Sequence, residues 1–176
     1  IKPTLIKKEK SDAVIFCDFR HGIFNNSSIE KLTSSIKKGI FKVADSQVAT
    51  RWGNITQFKN FDLITPNEKE ARFSLADQDS NIGELTRQLS LKTEFKNLIL
   101  KLGERGTFSV EKNFKKSDLA FVIPSFASKI EDAVGAGDAL LSYATLSMLS
   151  TNSLVISSII GSIAAACECE IEGNIE

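Results

Sequence analysis

The chain has 176 residues, 42% of them hydrophobic, enough for one compact domain with a core of its own. Its 22 lysines and arginines balance 22 aspartates and glutamates, so no field of one sign marks nucleic acid or an anionic membrane as the main partner. The longest apolar stretch, Leu154 to Cys167, is broken by Ser157, Ser158, Gly161 and Ser162 and is too short to span a bilayer.

Asp12 to Phe19 reads as a buried strand that runs into the polar loop Arg20-His21-Gly22. Ser28 to Lys38 carries apolar residues at helical spacing, Ile29, Leu32 and Ile36, with Ser28 as the expected N-cap and Gly39 as the stop. Ile40 to Asp45 is a second strand and Asp62 to Thr65 a very short third. Pro66 suits the first turn of a helix through Ala71 and Leu75. Asn81 can cap another helix, with Leu85 and Leu89 on its buried side. Asn97 to Leu102 is a continuous apolar strand, Gly103 to Gly106 a tight turn, and Thr107 to Val110 a returning strand. A charged loop, Lys112 to Asp118, precedes a strand at Ala120 to Ile123. A helix opens at Gly135-Ala136-Gly137-Asp138 and continues to about Leu149; it is apolar almost all round and is expected to be buried. A second helix, Ser153 to Glu170, is rich in small residues that permit close packing.

Strands alternating with helices, several of them apolar on both faces, predict an α/β fold: a mainly parallel sheet with helices on both faces. No repeat or linker divides the chain, so residues 1–176 read as a single α/β domain. Cys17, Cys167 and Cys169 are odd in number and widely spaced, which argues against a disulfide framework, and one histidine, His21, makes a zinc site improbable. With no secretory leader visible, reduced thiols in a cytoplasmic protein are the expectation. A start at Ile1 rather than methionine reads as a piece of a longer protein.

Three segments carry residues suited to chemistry. In Asp132-Ala133-Val134-Gly135-Ala136-Gly137-Asp138, glycines at a helix start let the backbone approach a ligand, and free N–H groups with the helix dipole favour phosphate. A carboxylate just inside that turn, Asp138, is placed to take a proton from an attacking hydroxyl. The plain alternative is a helix N-terminus with a favourable first-turn acid. In Thr65-Pro66-Asn67-Glu68-Lys69-Glu70, Asn67 and Glu70 share a helix face and can hold magnesium through water, or can simply start a helix. In Lys101-Leu102-Gly103-Glu104-Arg105-Gly106, a strand leads into a glycine turn where open parallel sheets bind ligands; Lys101 or the turn amides can meet nucleotide phosphates, and the alternative is a hairpin. Arg20 and His21 suit a sugar phosphate or an exposed loop equally. Trp52 reads as packing under its own loop rather than stacking on a sugar.

In this order the three segments resemble the PfkB (ribokinase-like) family of carbohydrate kinases. Asn67 and Glu70 match its N-x-x-E motif, Lys101 to Gly106 its nucleotide-loop strand and turn, and Asp132 to Asp138 its D-x-x-G-A-G-D signature. The resemblance covers nearly the whole chain but only about the second half of a typical member; the part in front carries the family's small β lid and most sugar contacts. Within the family, Phe16 to Gly22 is similar to the S-D-Y-x-K-G segment of the heptose-7-phosphate kinase branch. Asp45-Ser46-Gln47 lies where that branch has D-P-K, without the proline or the lysine, and Arg51 offers a positive charge nearby. Ala133 stands where the family signature usually has threonine, and Tyr143 where a small residue is common.

The resemblance implies ATP-dependent phosphoryl transfer to a hydroxyl of a sugar or sugar phosphate, a heptose 7-phosphate being the branch's acceptor. Asp138 is the implied base, with Gly135, Ala136 and Gly137 donating to the transferring phosphoryl group. Lys101, Gly103, Gly106 and Asp132 are implied at the nucleotide, Asp18, Arg20, His21 and Arg51 at the acceptor, and Asn67 and Glu70 at Mg2+. A monovalent cation such as K+ near the signature loop, and a homodimer of the full-length protein, are compatible with it. Two other readings stay open: a non-catalytic nucleotide- or sugar-phosphate-binding module, and the kinase part of a bifunctional kinase/nucleotidyltransferase. Asp138 favours an enzyme, since a pure binder gains nothing from a carboxylate beside phosphate.

Overall fold

The structure is a computed structural model that describes residues 11–47, 54–113 and 117–171. The chain divides into two compact units, Ile1–Lys96 and Asn97–Glu176.

The first unit is built from parallel strands. β1 (Ala13–Asp18) pairs with β2 (Phe41–Ser46), which pairs with the short β3 (Leu63–Ile64). The register sets Asp18 opposite Ser46 and Cys17 opposite Asp45 at the carboxyl ends of the strands. Three helices connect and cover them: α1 (Asn26–Ser35), α2 (Glu68–Leu75) and α3 (Ile82–Thr93). The centre of this unit is aromatic. Phe16, Phe58 and Phe61 meet edge to face with ring centroids 5.2 to 6.0 Å apart, the geometry that the ring quadrupoles favour.

The caps follow the sequence with one exchange of roles. Asn25, not Ser28, is the N-cap of α1: its side chain accepts the Ser28 N–H at 3.0 Å, while the Ser28 hydroxyl accepts the Asn25 N–H at 2.9 Å. Both residue types satisfy a helix start, and three positions apart they satisfy each other, so the helix begins at Asn26; it ends at Ser35, with extended Ile36 rather than Gly39 at its C-cap. Pro66 lies just ahead of the cap of α2, Asn67, rather than in its first turn. Asn81 caps α3 as expected, accepting the Glu84 N–H at 2.9 Å.

The second unit opens with an antiparallel meander: β4 (Asn97–Lys101), β5 (Thr107–Glu111) and β6 (Leu119–Ile123). Two 16-residue helices follow, α4 (Ala136–Thr151) and α5 (Leu154–Cys169). They pack closely because of Gly161: a Cβ there would lie 3.0 Å from the Leu140 carbonyl oxygen and 3.1 Å from the Ala144 Cβ. The Ser109 and Ser158 hydroxyls, both fully buried, bond at 2.8 Å and pin α5 to β5. The apolar all-round character of α4 does not bury it fully. Leu140, Leu141, Ala144 and Met148 are covered, whereas Tyr143 and Leu146 remain 54% and 60% exposed, because α5 covers one face only.

The fold class read from the sequence is the one observed, its parallel strands in the first unit and the returning hairpin in the second. Among the described residues no helix is long and apolar enough to cross a membrane.

Candidate functional site

In the second unit the geometry converges on the start of α4. Gly135 precedes the helix with φ 91°, a left-handed conformation that costs glycine nothing and an L-residue about 1–2 kcal/mol. No side chain caps this helix. The Ala136 N–H reaches the Ala133 carbonyl only at 3.4 Å, and the first regular helical bond is from the Ala139 N–H to the Gly135 carbonyl at 2.9 Å. The amides of the first turn are thus left to an outside acceptor, at the positive end of the helix dipole. Asp138 sits in that turn, half-buried.

Lys101, the last residue of β4, comes to the same place. Its Nζ would lie 3.3 Å from a Cβ built on Gly137, so glycine there makes room for the ammonium beside the helix start. An ammonium at a helix N-terminus opposes the dipole, and an anion between them reverses the sign. The turn after β4 is fixed by Gly103 and Gly106, both at positive φ, with the Gly106 N–H on the Gly103 carbonyl at 2.9 Å. Only glycine fits at 106: an added Cβ would fall 2.1 Å from the Ile123 carbonyl oxygen.

The loop between β6 and α4 is held from behind. Asp132 turns its carboxylate onto the Val134 N–H at 2.9 Å, shaping the chain just before Gly135. The backbone N–H of Glu131 bonds to the Cys169 carbonyl at 2.8 Å, and Glu170 accepts both the N–H and the hydroxyl of Ser128 at 2.8 and 2.7 Å. The Ser128 hydroxyl, and then its N–H, hold the Glu170 carboxyl below its usual range. The Cys169 thiol is pushed up, first by burial and then by the charges of Glu168, Asp132 and Glu170.

In the first unit Asn67 and Glu70 form a complete capping box. The Asn67 side chain accepts the Glu70 N–H at 2.8 Å, and Glu70 Oε2 accepts the Asn67 N–H at 2.7 Å. At the end of β1, Asp18 is buried; one carboxylate oxygen accepts the Arg20 N–H at 3.0 Å, and the other accepts Arg20 Nη1 and, at 3.1 Å, the Ser46 hydroxyl. His21 is exposed, its ring 6.4 Å from that of Phe19. Arg51 and Trp52 lie outside the described residues.

Residues 10–176 match the pfkB family carbohydrate kinase profile. The chain belongs to that family. No curated protein sequence matches it. Among solved structures, phosphofructokinase-2 from Escherichia coli in complex with potassium superposes with a TM-score of 0.81 at 18% identity, over 97% of this chain and 55% of that one. The same enzyme in complex with substrates and products gives 0.77 at 17% identity, over 95% and 54%. Ribokinase from Thermotoga maritima gives 0.74 at 22% identity, over 98% and 54%. The fold of this pfkB chain is therefore ribokinase-like, and the chain spans about half the length of the structures it matches.

The pfkB chain assembles its site residues in two groups. Lys101, Gly103, Gly106, Asp132 and Gly135 to Asp138 belong to the second unit, where Lys101 and the α4 start are brought together. Asp18, Arg20, His21, Asn67 and Glu70 belong to the first. The uncapped helix start fits nucleotide phosphates. Among the described residues no group of three histidine, cysteine or acidic side chains is placed to hold a metal ion, and Mg2+ is commonly held by one or two carboxylates with water and substrate phosphates. Glu70 is buried, and its Oε2 accepts the Asn67 N–H. Ser46, Ser128 and Glu170 escape a motif reading, because their parts depend on strand register and on a partner 42 residues away.

Proposed function

We propose that this chain is the nucleotide-binding and catalytic portion of an ATP-dependent carbohydrate kinase, with Asp138 as the base. The observation that carries the reading is the start of α4, with Gly135 in the left-handed region, no side-chain cap, the Lys101 ammonium against Gly137 and a carboxylate in the first turn. Membership of the pfkB family supports it.

In this reading Asp138 accepts the proton of the acceptor hydroxyl as its oxygen attacks the γ-phosphorus, while the amides of Gly135, Ala136 and Gly137 donate to the transferring phosphoryl oxygens. Lys101 adds a fixed positive charge beside them. Gly103 and Gly106 hold the turn that Lys101 precedes, and Asp132 keeps the approach to Gly135 in shape through Val134. Magnesium would supply charge neutralisation to the nucleotide phosphates, and Asn67 and Glu70 are the residues that would order its water shell. A monovalent cation near the signature loop belongs to the same reading and is supported by the potassium complex of the E. coli enzyme. The acceptor is a sugar or sugar phosphate, a heptose 7-phosphate being the member of that class suggested by Phe16 to Gly22.

The test is a sugar-dependent ADP-release assay on the full-length protein and on the 176-residue chain. The full-length protein is expected to turn over. The chain alone is expected to bind ATP weakly and transfer little phosphate, since aligning the acceptor is worth roughly 7–11 kcal/mol at best. ATP binding with no phosphoryl transfer by the full-length protein to any sugar or sugar phosphate would leave a binding module instead.

A further inference from the structure

The helices of the two units differ in what they show to solvent. On α3 a single large apolar side chain, Leu91, is exposed, with Lys92 beside it and Glu84 and Arg87 on the same helix; one apolar residue among charges is ordinary surface. On α4, Tyr143, Leu146 and Leu149 are exposed at intervals of three, and on α5 Ile156, Ile160 and Ile163 are exposed at intervals of four and three. Each helix therefore turns an apolar stripe outward. Gly161 sets the level of the stripes. It lies against Leu140 and Ala144, so Ile160 on α5 and Tyr143 on α4 stand at the same height of the helical hairpin.

The chemistry of these stripes narrows what can cover them. Neither helix contains a lysine or an arginine, and their only acids, Asp138 and Glu168, lie in the first turn of α4 and the last turn of α5. A helix that faces water carries charge on its outer side, and a helix that lies on a membrane surface carries lysine or arginine there. A helix that is apolar all round is a buried one. The solved structures that match nearly all of this chain leave about half of their own length unmatched, so the fold has further polypeptide to place against the portion described here.

We propose that the outer face of α4 and α5 is an intramolecular interface, on which an apolar-faced segment of the protein outside these 176 residues seats against Tyr143, Leu146, Ile156 and Ile160. The two helices are then an inner layer of the finished protein. α4 begins at the Gly135 turn, and α5 ends at the bonds that hold the loop ahead of that turn, so the seated segment braces the turn from its far side. The claim concerns packing alone and stands or falls independently of the kinase reading.

The experiment uses the full-length protein with a photo-crosslinking residue, p-benzoylphenylalanine, at position 143. Irradiation and peptide mapping are expected to join position 143 to a residue of the same polypeptide outside the 176. A crosslink between two copies, seen as a species of doubled mass, would make the face a self-association surface and overturn the proposal. Crosslinks confined to the 176 residues, or none, would overturn it as well. Leu146→Asp in the full-length protein supplies an independent reading. Burial of that carboxylate should lower the folded-to-unfolded ratio in urea by about 10-fold or more, whereas Leu91→Asp should change it by less than about 3-fold. Equal effects of the two substitutions would show that nothing seats on α4. Because neither measurement reads phosphoryl transfer, an inactive protein leaves both of them decisive.

Discussion

Two helix starts in this molecule solve the same problem in opposite ways. α2 closes itself: Asn67 and Glu70 exchange side-chain and backbone bonds, so the chain satisfies its own orphan amides. α4 does not: Gly135 brings no side chain, and the first-turn amides wait beside the Lys101 ammonium. A capped start is worth stability, and an uncapped one is an anion site held ready at a cost in stability. On the proposed reading, the contrast gives N-x-x-E and G-A-G-D, both helix beginnings, different parts.

The sharpest way to break the contrast is Asp138→Asn in the full-length protein. It keeps the shape of the α4 start and removes the basicity, and phosphoryl transfer should fall by about 100-fold or more with ATP affinity nearly unchanged. Near-normal turnover would show that the open start serves binding alone. Next in size is Gly106→Ala, which adds a Cβ 2.1 Å from the Ile123 carbonyl oxygen at a positive φ; urea unfolding should show a loss of about 3 kcal/mol. Asn67→Ala removes the cap of α2 and should cost about 1 kcal/mol in the same assay. No loss would mean the box is idle.

Glu70→Gln separates capping from metal. The amide oxygen can still accept the Asn67 N–H, so stability should move by less than about 0.5 kcal/mol, while the magnesium needed for half-maximal activity should rise. An unchanged magnesium curve would leave Glu70 a capping residue only. The smallest effect is one of pH. The Glu170 carboxyl is lowered in the fold, chiefly by the Ser128 hydroxyl. Its contribution to holding the loop is complete above the ordinary value of 4.5 and is lost as pH falls through the lower folded value. The protection factor of the Ser128 amide, its exchange taken relative to the intrinsic rate at each pH, should fall across that acidic window and hold from about pH 5 to 8; protection that persists throughout the acid range would remove Glu170 as the anchor.

Much of this is legible in the amino-acid sequence itself. Apolar runs locate the strands, Asn81 is recognisable as a cap, and the glycine at 135 marks a helix start where the backbone must turn freely. The partnership at Asp18 is not legible, because it depends on the register that sets Asp18 opposite Ser46, which no local pattern encodes. Ser28 reads as a cap, yet Asn25 fits that role equally well and takes it by preceding Ser28 by three positions. The need for glycine at 106 can be suspected from the turn, but its reason lies in the Ile123 carbonyl, on a strand further along the chain. Exposure of Tyr143 is hidden by the apolar sequence of α4, since composition reports what a helix can bury and not what is there to cover it.

The bonds from Ser128 to Glu170 and from Glu131 to Cys169 also impose an order in time. On the ribosome the signature loop emerges before its anchor, which lies at the far end of α5. Until Cys169 and Glu170 have been made and α5 has docked on β5, the loop ahead of Gly135 has nothing behind it, and closing so long an interval is slow compared with forming either helix. The turn at Gly135 is therefore among the last parts of the second unit to take shape, so the nucleotide site proposed there is complete only when the fold around it is finished.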